Sequence, residues 1–315
     1  MTENYMPEEE NELTLVVLAA GMGKRYGGAK QIDQFGPNGE TLLDYSLYDA
    51  WKAGFTKAVF VIREDLREFF DDHMAYTLSG KMDYSLVCQK LDDLPASFTV
   101  NQDRQKPWGT GHALWTARNH IKSPFAVINA DDFYGRQSYE QLASFLKTNN
   151  NNTGQIADTA LVGFQLANTL SPHGAVSRGL CITDNNNMLQ GIEEHTNIEQ
   201  KDNGTISGND ENKVTKTLTP DTVVSMNMWA FPADFPNFLE QEFEKFMKAN
   251  HSSTEKEFYL PSAVNNLLNN GRCRVKVVQT PDEWMGITYA ADKEYVADKI
   301  RRMVDAGKYP QLTSA

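Results

Sequence analysis

LTLVVLAAGMGKRYGGAKQ, residues Leu13 to Gln31, decides how the rest of the chain is read. An apolar run through Leu15, Val16, Val17, Leu18, Ala19 and Ala20 stops abruptly at Gly21. Gly23, the basic pair Lys24-Arg25, Gly27, Gly28 and Lys30 follow. Physically this is a buried strand that opens into a loop with little side-chain bulk. Backbone N–H groups of such a loop can approach an anion closely, with fixed positive charges beside it. Phosphate is the obvious anion, which leaves the kind of phosphate chemistry to be decided.

Spacing excludes two common phosphate loops. A dinucleotide fingerprint needs a third glycine where Tyr26 stands, and a Walker A loop fails at Tyr26 or, counted from Gly23, at Ala29. What remains is L-A-A-G-x-G-x-R, with Lys30 five residues after Arg25. That pattern resembles the signature loop of the sugar-nucleotide pyrophosphorylases, nucleotidyltransferases that join a nucleoside triphosphate to a sugar 1-phosphate. The resemblance implies an α/β fold: a single Rossmann-like three-layer domain of the GT-A-like nucleotide-diphospho-sugar transferase kind. It would have a mixed, mainly parallel central sheet and a sugar-side β subregion.

Composition fits a localised anion site in an acidic protein. The chain has 315 residues, 40% of them hydrophobic, enough to bury a sizeable core. A formal net charge of −12 argues against a nucleic-acid or anionic-membrane surface. Cys88, Cys181 and Cys273 lie far apart, and the six histidines show no ligand spacing, so neither a disulfide framework nor a zinc site is indicated. No apolar run reaches membrane length, and the acidic start is unlike a signal peptide, so the chain reads as soluble and cytoplasmic. Residues 1–12 read as a flexible acidic tail and 13–315 as one domain, with a nucleotide-binding half (13–135) and a sugar-binding half with C-terminal helices (136–315).

Along the chain, Thr41 to Asp44 matches a capping box, followed by Leu43, Leu47 and Trp51 at helical spacing and Gly54 as a stop. Ala58 to Ile62 is a short buried strand, so the opening reads strand-loop-helix-strand, a parallel pair with a right-handed crossover. Helices are expected over Glu64–Met74, Ala113–Ile121, Ser138–Lys147, Phe235–Lys248 and from Pro261 to Asn270. Strands are expected at Ser85–Gln89, Phe125–Ala130, Thr159–Leu166, Gly179–Thr183, Asp221–Phe231 and Arg274–Gln279. Asn149–Asn152 and Gln200–Thr219 read as polar loops, the latter a surface loop or a disordered hairpin end.

Later strings extend the resemblance. Gly109-Thr110-Gly111-His112-Ala113 resembles the family's turn at the nucleobase, with Gln105 and Gly109 near the base; Trp108 either stacks there or simply packs. Phe125 to Ala130 ends in Asp131-Asp132, and acids at the carboxyl end of a strand in an open α/β sheet are well placed for a ligand. By resemblance Asp131 is the magnesium-binding aspartate, and Mg²⁺ suits one carboxylate plus substrate phosphates. The loop ending at Gly174 resembles the one over the sugar. Glu194 stands where the family reads the sugar hydroxyls, but His195 replaces the lysine that holds the sugar phosphate. Ser225, Asn227 and Trp229 replace the asparagine, glycine and tyrosine of a later strand motif. Gly286 stands where a second metal-binding aspartate is expected; Asp292 either substitutes or begins the last helix.

The implied set is therefore Arg25, Lys30 and Asp131 as catalytic residues, with Asp131 binding Mg²⁺. Leu18, Ala19, Ala20, Gly21, Gly23, Gln105, Gly109 and Thr110 would bind nucleotide, and Gly174, Glu194 and His195 the sugar. Substrates would be a nucleoside triphosphate and a sugar 1-phosphate, with no nucleic acid and no membrane, and with room for a homo-oligomer. Two other readings stay open: a cytidylyltransferase acting on a non-sugar phosphate, suggested by Lys30-Gln31, and a catalytically weak nucleotide- or sugar-binding regulatory homologue.

Overall fold

The opening apolar run becomes β1 (Thr14–Leu18), and every residue in it is buried. Leu15 and Val17 enter one hydrophobic layer, Val16 and Leu18 the other. A strand covered on both faces needs apolar residues at every position, which is why the sequence here does not alternate. The computed structural model describes residues 12–21, 33–149 and 154–312. Gly23, Arg25 and Lys30 lie outside the described residues, as do most of the acidic tail and residues 150–153.

α1 (Leu42–Ala53) begins at a complete capping box between Thr41 and Asp44 and ends at Gly54, whose φ of 102° is left-handed. β2 (Lys57–Ile62) runs parallel to β1. A 3₁₀ turn at Glu64–Leu66 precedes α2 (Arg67–Thr77), so the helix expected from Glu64 starts later and reaches further. β3 (Asp83–Cys88) pairs in parallel with β2. α3 (Thr110–Thr116) starts earlier than its apolar spacing suggests, because Gly109, at φ 99°, turns the chain directly into it. β4 (Phe125–Asn129) then lies parallel to β1 on the side away from β2.

β5 (Asp132–Phe133), α4 (Arg136–Thr148), β6 (Ala157–Gln165) and β7 (Val176–Thr183) come next. β8 (Leu189–Gln200), β9 (Ile206–Asn209) and β10 (Thr215–Leu218) form an antiparallel extension of β7. The polar segment 200–219 therefore carries two short strands rather than being loop throughout, and the side chain of Ile206 is buried. β11 (Val223–Phe231), α5 (Phe235–Asn250), α6 (Leu260–Asn269), β12 (Cys273–Thr280), β13 (Met285–Gly286) and α7 (Asp292–Asp305) complete the chain. No helix among the described residues is long and apolar enough to cross a membrane.

The main sheet has the order β10-β9-β8-β7-β11-β4-β1-β2-β3, with β6 joining β11 to β12. It is parallel at its core, β3 to β4, and β11 enters antiparallel beside β4. From β1 the chain moves outward to β2 and β3, then returns to place β4 on the opposite side. The carboxyl ends of β1 and β4 therefore flank a topological switch point, where an α/β sheet leaves a crevice for a ligand.

Candidate active site

Leu18 and Asn129 are register partners at the ends of β1 and β4, and the Ala130 N–H donates to the Leu18 carbonyl at 3.1 Å. Two residues beyond that pair stand Ala20 on one strand and Asp131 on the other. The start of the glycine loop and the candidate metal-binding carboxylate thus leave the sheet side by side. Ala19 is tied back by its N–H to the Val61 carbonyl at 2.8 Å, and Gly21 is exposed.

Ala20 also lines a cavity of about 210 Å³ together with Gln89, Gln105, Pro107, Trp108 and His112. Two of the residues expected to bind the nucleotide, Ala20 and Gln105, are thus brought to one cavity. Gln89 and His112 were not singled out from sequence, although a polar residue directly after a parallel strand is a usable signal. His112 is 0% exposed. Its Nε2 lies 2.8 Å from the Asp93 carbonyl and its Nδ1 lies 2.9 Å from Gln89 Nε2. A carbonyl only accepts, so Nε2 carries the proton and Nδ1 accepts from Gln89. Burial pulls the His112 pKa down to about 4, so the ring is neutral at pH 7. Gln89 Nε2 donates also to the Gly109 carbonyl at 3.1 Å. Both its N–H bonds are then committed, and its Oε1 is left as an acceptor.

Gly109 and Gly111 serve packing. A Cβ at either would come within 2.9 Å of the Phe258 carbonyl. The Thr110 hydroxyl accepts from the Leu260 N–H at 3.0 Å, so its side chain is committed to the start of α6. Trp108 is fully buried, with its indole N–H on the Leu91 carbonyl at 3.0 Å, so it packs while forming part of the cavity wall.

Behind Asp131, the Asp132 carboxylate accepts from Asn129 Nδ2 at 2.9 Å and from the Tyr134 hydroxyl at 3.1 Å. Burial and the neighbouring Asp131 charge push Asp132 up to about 7. Asn129 Oδ1 in turn accepts from Asn227 Nδ2 at 2.8 Å, and Asn227 Oδ1 accepts from the Trp229 indole at 3.0 Å. Asn227 sits in the β11 irregularity at φ 60°, a left-handed conformation that glycine and asparagine tolerate best. This explains how asparagine stands where the family has glycine.

Glu194, Gly179 and Ser225 lie in one row across β8, β7 and β11. Glu194 is exposed, whereas His195 points to the opposite face and is 3% exposed. His195 Nδ1 has no hydrogen-bond partner among the described residues, and its Nε2 is 3.7 Å from Glu193. Glu194 and His195 are therefore not brought to one surface. Opposite His195 is Arg178, also buried, which donates to Thr169 Oγ1 and to the Thr169 and Ser177 carbonyls. Gly174 abuts the Tyr289 ring, which a Cβ would approach to 2.7 Å.

Gly286 pairs with Asp132 across β13 and β5. A Cβ there would stand 2.4 Å from the Trp284 ring and 2.8 Å from Asp132 Oδ1. Asp292 does not take its place: its carboxylate accepts from the Thr288 and Tyr289 N–H groups and from Ser171 Oγ, fixing the start of α7. Among the described residues no group of three or more His, Cys, Asp or Glu side chains could hold a metal. The donor set fits a hard cation that takes one carboxylate, Asp131, and completes its shell with substrate oxygens, rather than an all-protein cage.

A family model for nucleotidyl transferases matches residues 14–194, more than half of the chain. The UTP–glucose-1-phosphate uridylyltransferase 1 of Staphylococcus saprophyticus is 28% identical over 171 residues, covering 50% of this chain and 56% of that protein. The chain thus matches little more than half the length of this curated relative. A crystal structure of UDP-glucose pyrophosphorylase complexed with UDP-glucose superposes with a TM-score of 0.54 at 16% identity, covering 95% of this chain and 100% of that one. The inositol-1-phosphate CTP transferase from T. maritima gives 0.58 at 16% identity, over 91% and 95%. At such identities these likenesses speak to the fold. Taken with the glycine loop at β1 and the carboxylate at β4, the family match over residues 14–194 leads to one conclusion: the chain belongs to the nucleotidyl transferase family.

Proposed function

We propose that this protein joins a nucleoside triphosphate to a sugar 1-phosphate, releasing pyrophosphate. One observation carries the reading: a base-sized cavity opens at Ala20, beside the strand ends that present the glycine loop and Asp131. The uridylyltransferase relative supports the sugar phosphate as acceptor. Transfer requires the α-phosphorus to lie in line between the attacking phosphate oxygen and the departing pyrophosphate. The acceptor oxygen is already anionic, so no covalent nucleophile is needed, and catalysis rests on alignment and charge neutralisation.

Asp131 would hold Mg²⁺, which when bound offsets negative charge on the phosphates. Arg25, a planar fork, would steady the leaving pyrophosphate, and Lys30 the α-phosphate as a point charge. Both roles rest on the sequence pattern. Ala20, Gln105 and Gln89 would hold the base, with Gln89 Oε1 accepting from a ring or exocyclic N–H. Glu194 would take acceptor hydroxyls. A second reading, a cytidylyltransferase acting on a non-sugar phosphate, draws support from His195: its buried side chain leaves the usual sugar-phosphate contact unsupplied at that position.

The test is pyrophosphate release over a panel of nucleoside triphosphates and phosphorylated acceptors with Mg²⁺. A sugar 1-phosphate should be the preferred acceptor, and Asp131→Asn should lower turnover about 10²- to 10³-fold. Preference for a polyol phosphate would select the second reading. Nucleotide binding without turnover of any pair would remove both.

A further inference from the structure

Gln105, Pro107 and Trp108 line the base cavity, while Arg104, Lys106 and the Trp108 backbone are tied to a distant segment that links α5 to α6. Arg104 is 3% exposed. Its guanidinium donates to the Ser253 carbonyl at 2.9 Å, the Lys256 carbonyl at 2.8 Å and the Pro107 carbonyl at 3.1 Å, and lies 3.4 Å from the centre of the Trp108 ring. Lys106 pairs with Glu257 at 2.7 Å and donates to the Glu255 carbonyl at 3.2 Å. Asn101 Nδ2 reaches the Ser252 carbonyl at 2.9 Å, and the Phe258 N–H donates to the Trp108 carbonyl at 2.6 Å.

We infer that Arg104 is a positioning residue for nucleobase recognition: anchored on residues 252–258, none of which lines the cavity, it fixes its neighbour Gln105 at the cavity wall. The physical reason is rigidity. An extended segment of polar residues at the rim of a cavity has no ladder of its own to fix it, and a base-reading amide is useful only when held to within a fraction of an ångström. A planar cation bridging three carbonyls across two segments supplies that fixation, and a lysine cannot reproduce the fork. The occupant of the cavity is taken from the nucleotidyl-transfer reading, on which this inference rests.

Calorimetric binding of ATP, GTP, CTP and UTP to the full chain tests it, together with separate KM values for nucleotide and acceptor phosphate. Arg104→Lys should weaken the preferred nucleotide about tenfold and compress the ranking among bases, leaving the acceptor KM within about twofold. Lys106→Met, which removes the half-buried ion pair to Glu257, should move both quantities the same way by about threefold, and it keeps the test decisive if Arg104→Lys fails to fold. Unchanged affinity and ranking in the folded variants would overturn the inference and leave the functional reading intact. Wild-type protein that binds none of the four would overturn both.

Discussion

His112 offers a quantitative test of the cavity beside Ala20. Its imidazole is 0% exposed and is held neutral, with a pKa of about 4 against 6.5 for an exposed histidine. Above pH 6.5 neither folded nor unfolded chain protonates it, so its contribution to stability is fully present. As pH falls from 6.5 toward 4 the unfolded chain gains a proton that the folded chain refuses, and stability is lost. About 2.5 pKa units at 1.36 kcal/mol each make this loss about 3 kcal/mol across that window. Urea unfolding of wild type and His112→Asn, measured from pH 7.5 to pH 4, isolates the term, because Asp132 and the other carboxylates are common to both. The difference in stability between the two proteins should shrink by about 3 kcal/mol as pH falls. Parallel pH profiles would refute the buried, neutral histidine. Protonating His112 in the folded protein would convert Nδ1 from acceptor to donor and oppose the Gln89 amide, so nucleotide affinity should hold through most of this window and decline only as pH approaches about 4.

Restoring an aspartate on β13 should harm the protein: Gly286→Asp drives a Cβ against the Trp284 ring and a second carboxylate against Asp132, costing about 2–4 kcal/mol in chemical denaturation. A gain in stability would show that the site has room. Asn227→Ala places an alanine at φ 60° and removes the links to Asn129 and Trp229, so a loss of about 2–3 kcal/mol is expected, with Asn227→Gly recovering only the backbone part. Equal stability of the two variants would contradict a left-handed residue there.

What was legible in the sequence was local or periodic. The continuous apolar run of β1, the Thr41–Asp44 box with Gly54 behind it, and Asp131 at the end of an apolar strand each announce themselves within about a dozen residues. The hairpin at 200–219 was hidden because its strands are polar on both faces except around Ile206, which removes the period that marks a half-buried strand. The cavity proposed for the base was half legible. Gln105 belongs to a recognisable string, but Gln89 acquires meaning only once β3 places it 2.9 Å from His112, and Arg104 only once residues 253–257 fold over it. The exchange of lysine for histidine at 195 was visible as a departure. Its consequence, a side chain turned to the far face of β8, depends on the β7–β8 register and could not be read from spacing alone.

Phosphorus NMR of the protein with Mg²⁺, a nucleoside triphosphate and a sugar 1-phosphate addresses the central claim most directly, since it reports which phosphate bond breaks. Cleavage between the α and β phosphorus should yield free pyrophosphate and a new nucleotide diphosphate-sugar in equal amounts, with both signals suppressed in Asp131→Asn. Orthophosphate and nucleoside diphosphate, the products of cleavage between β and γ, would contradict nucleotidyl transfer.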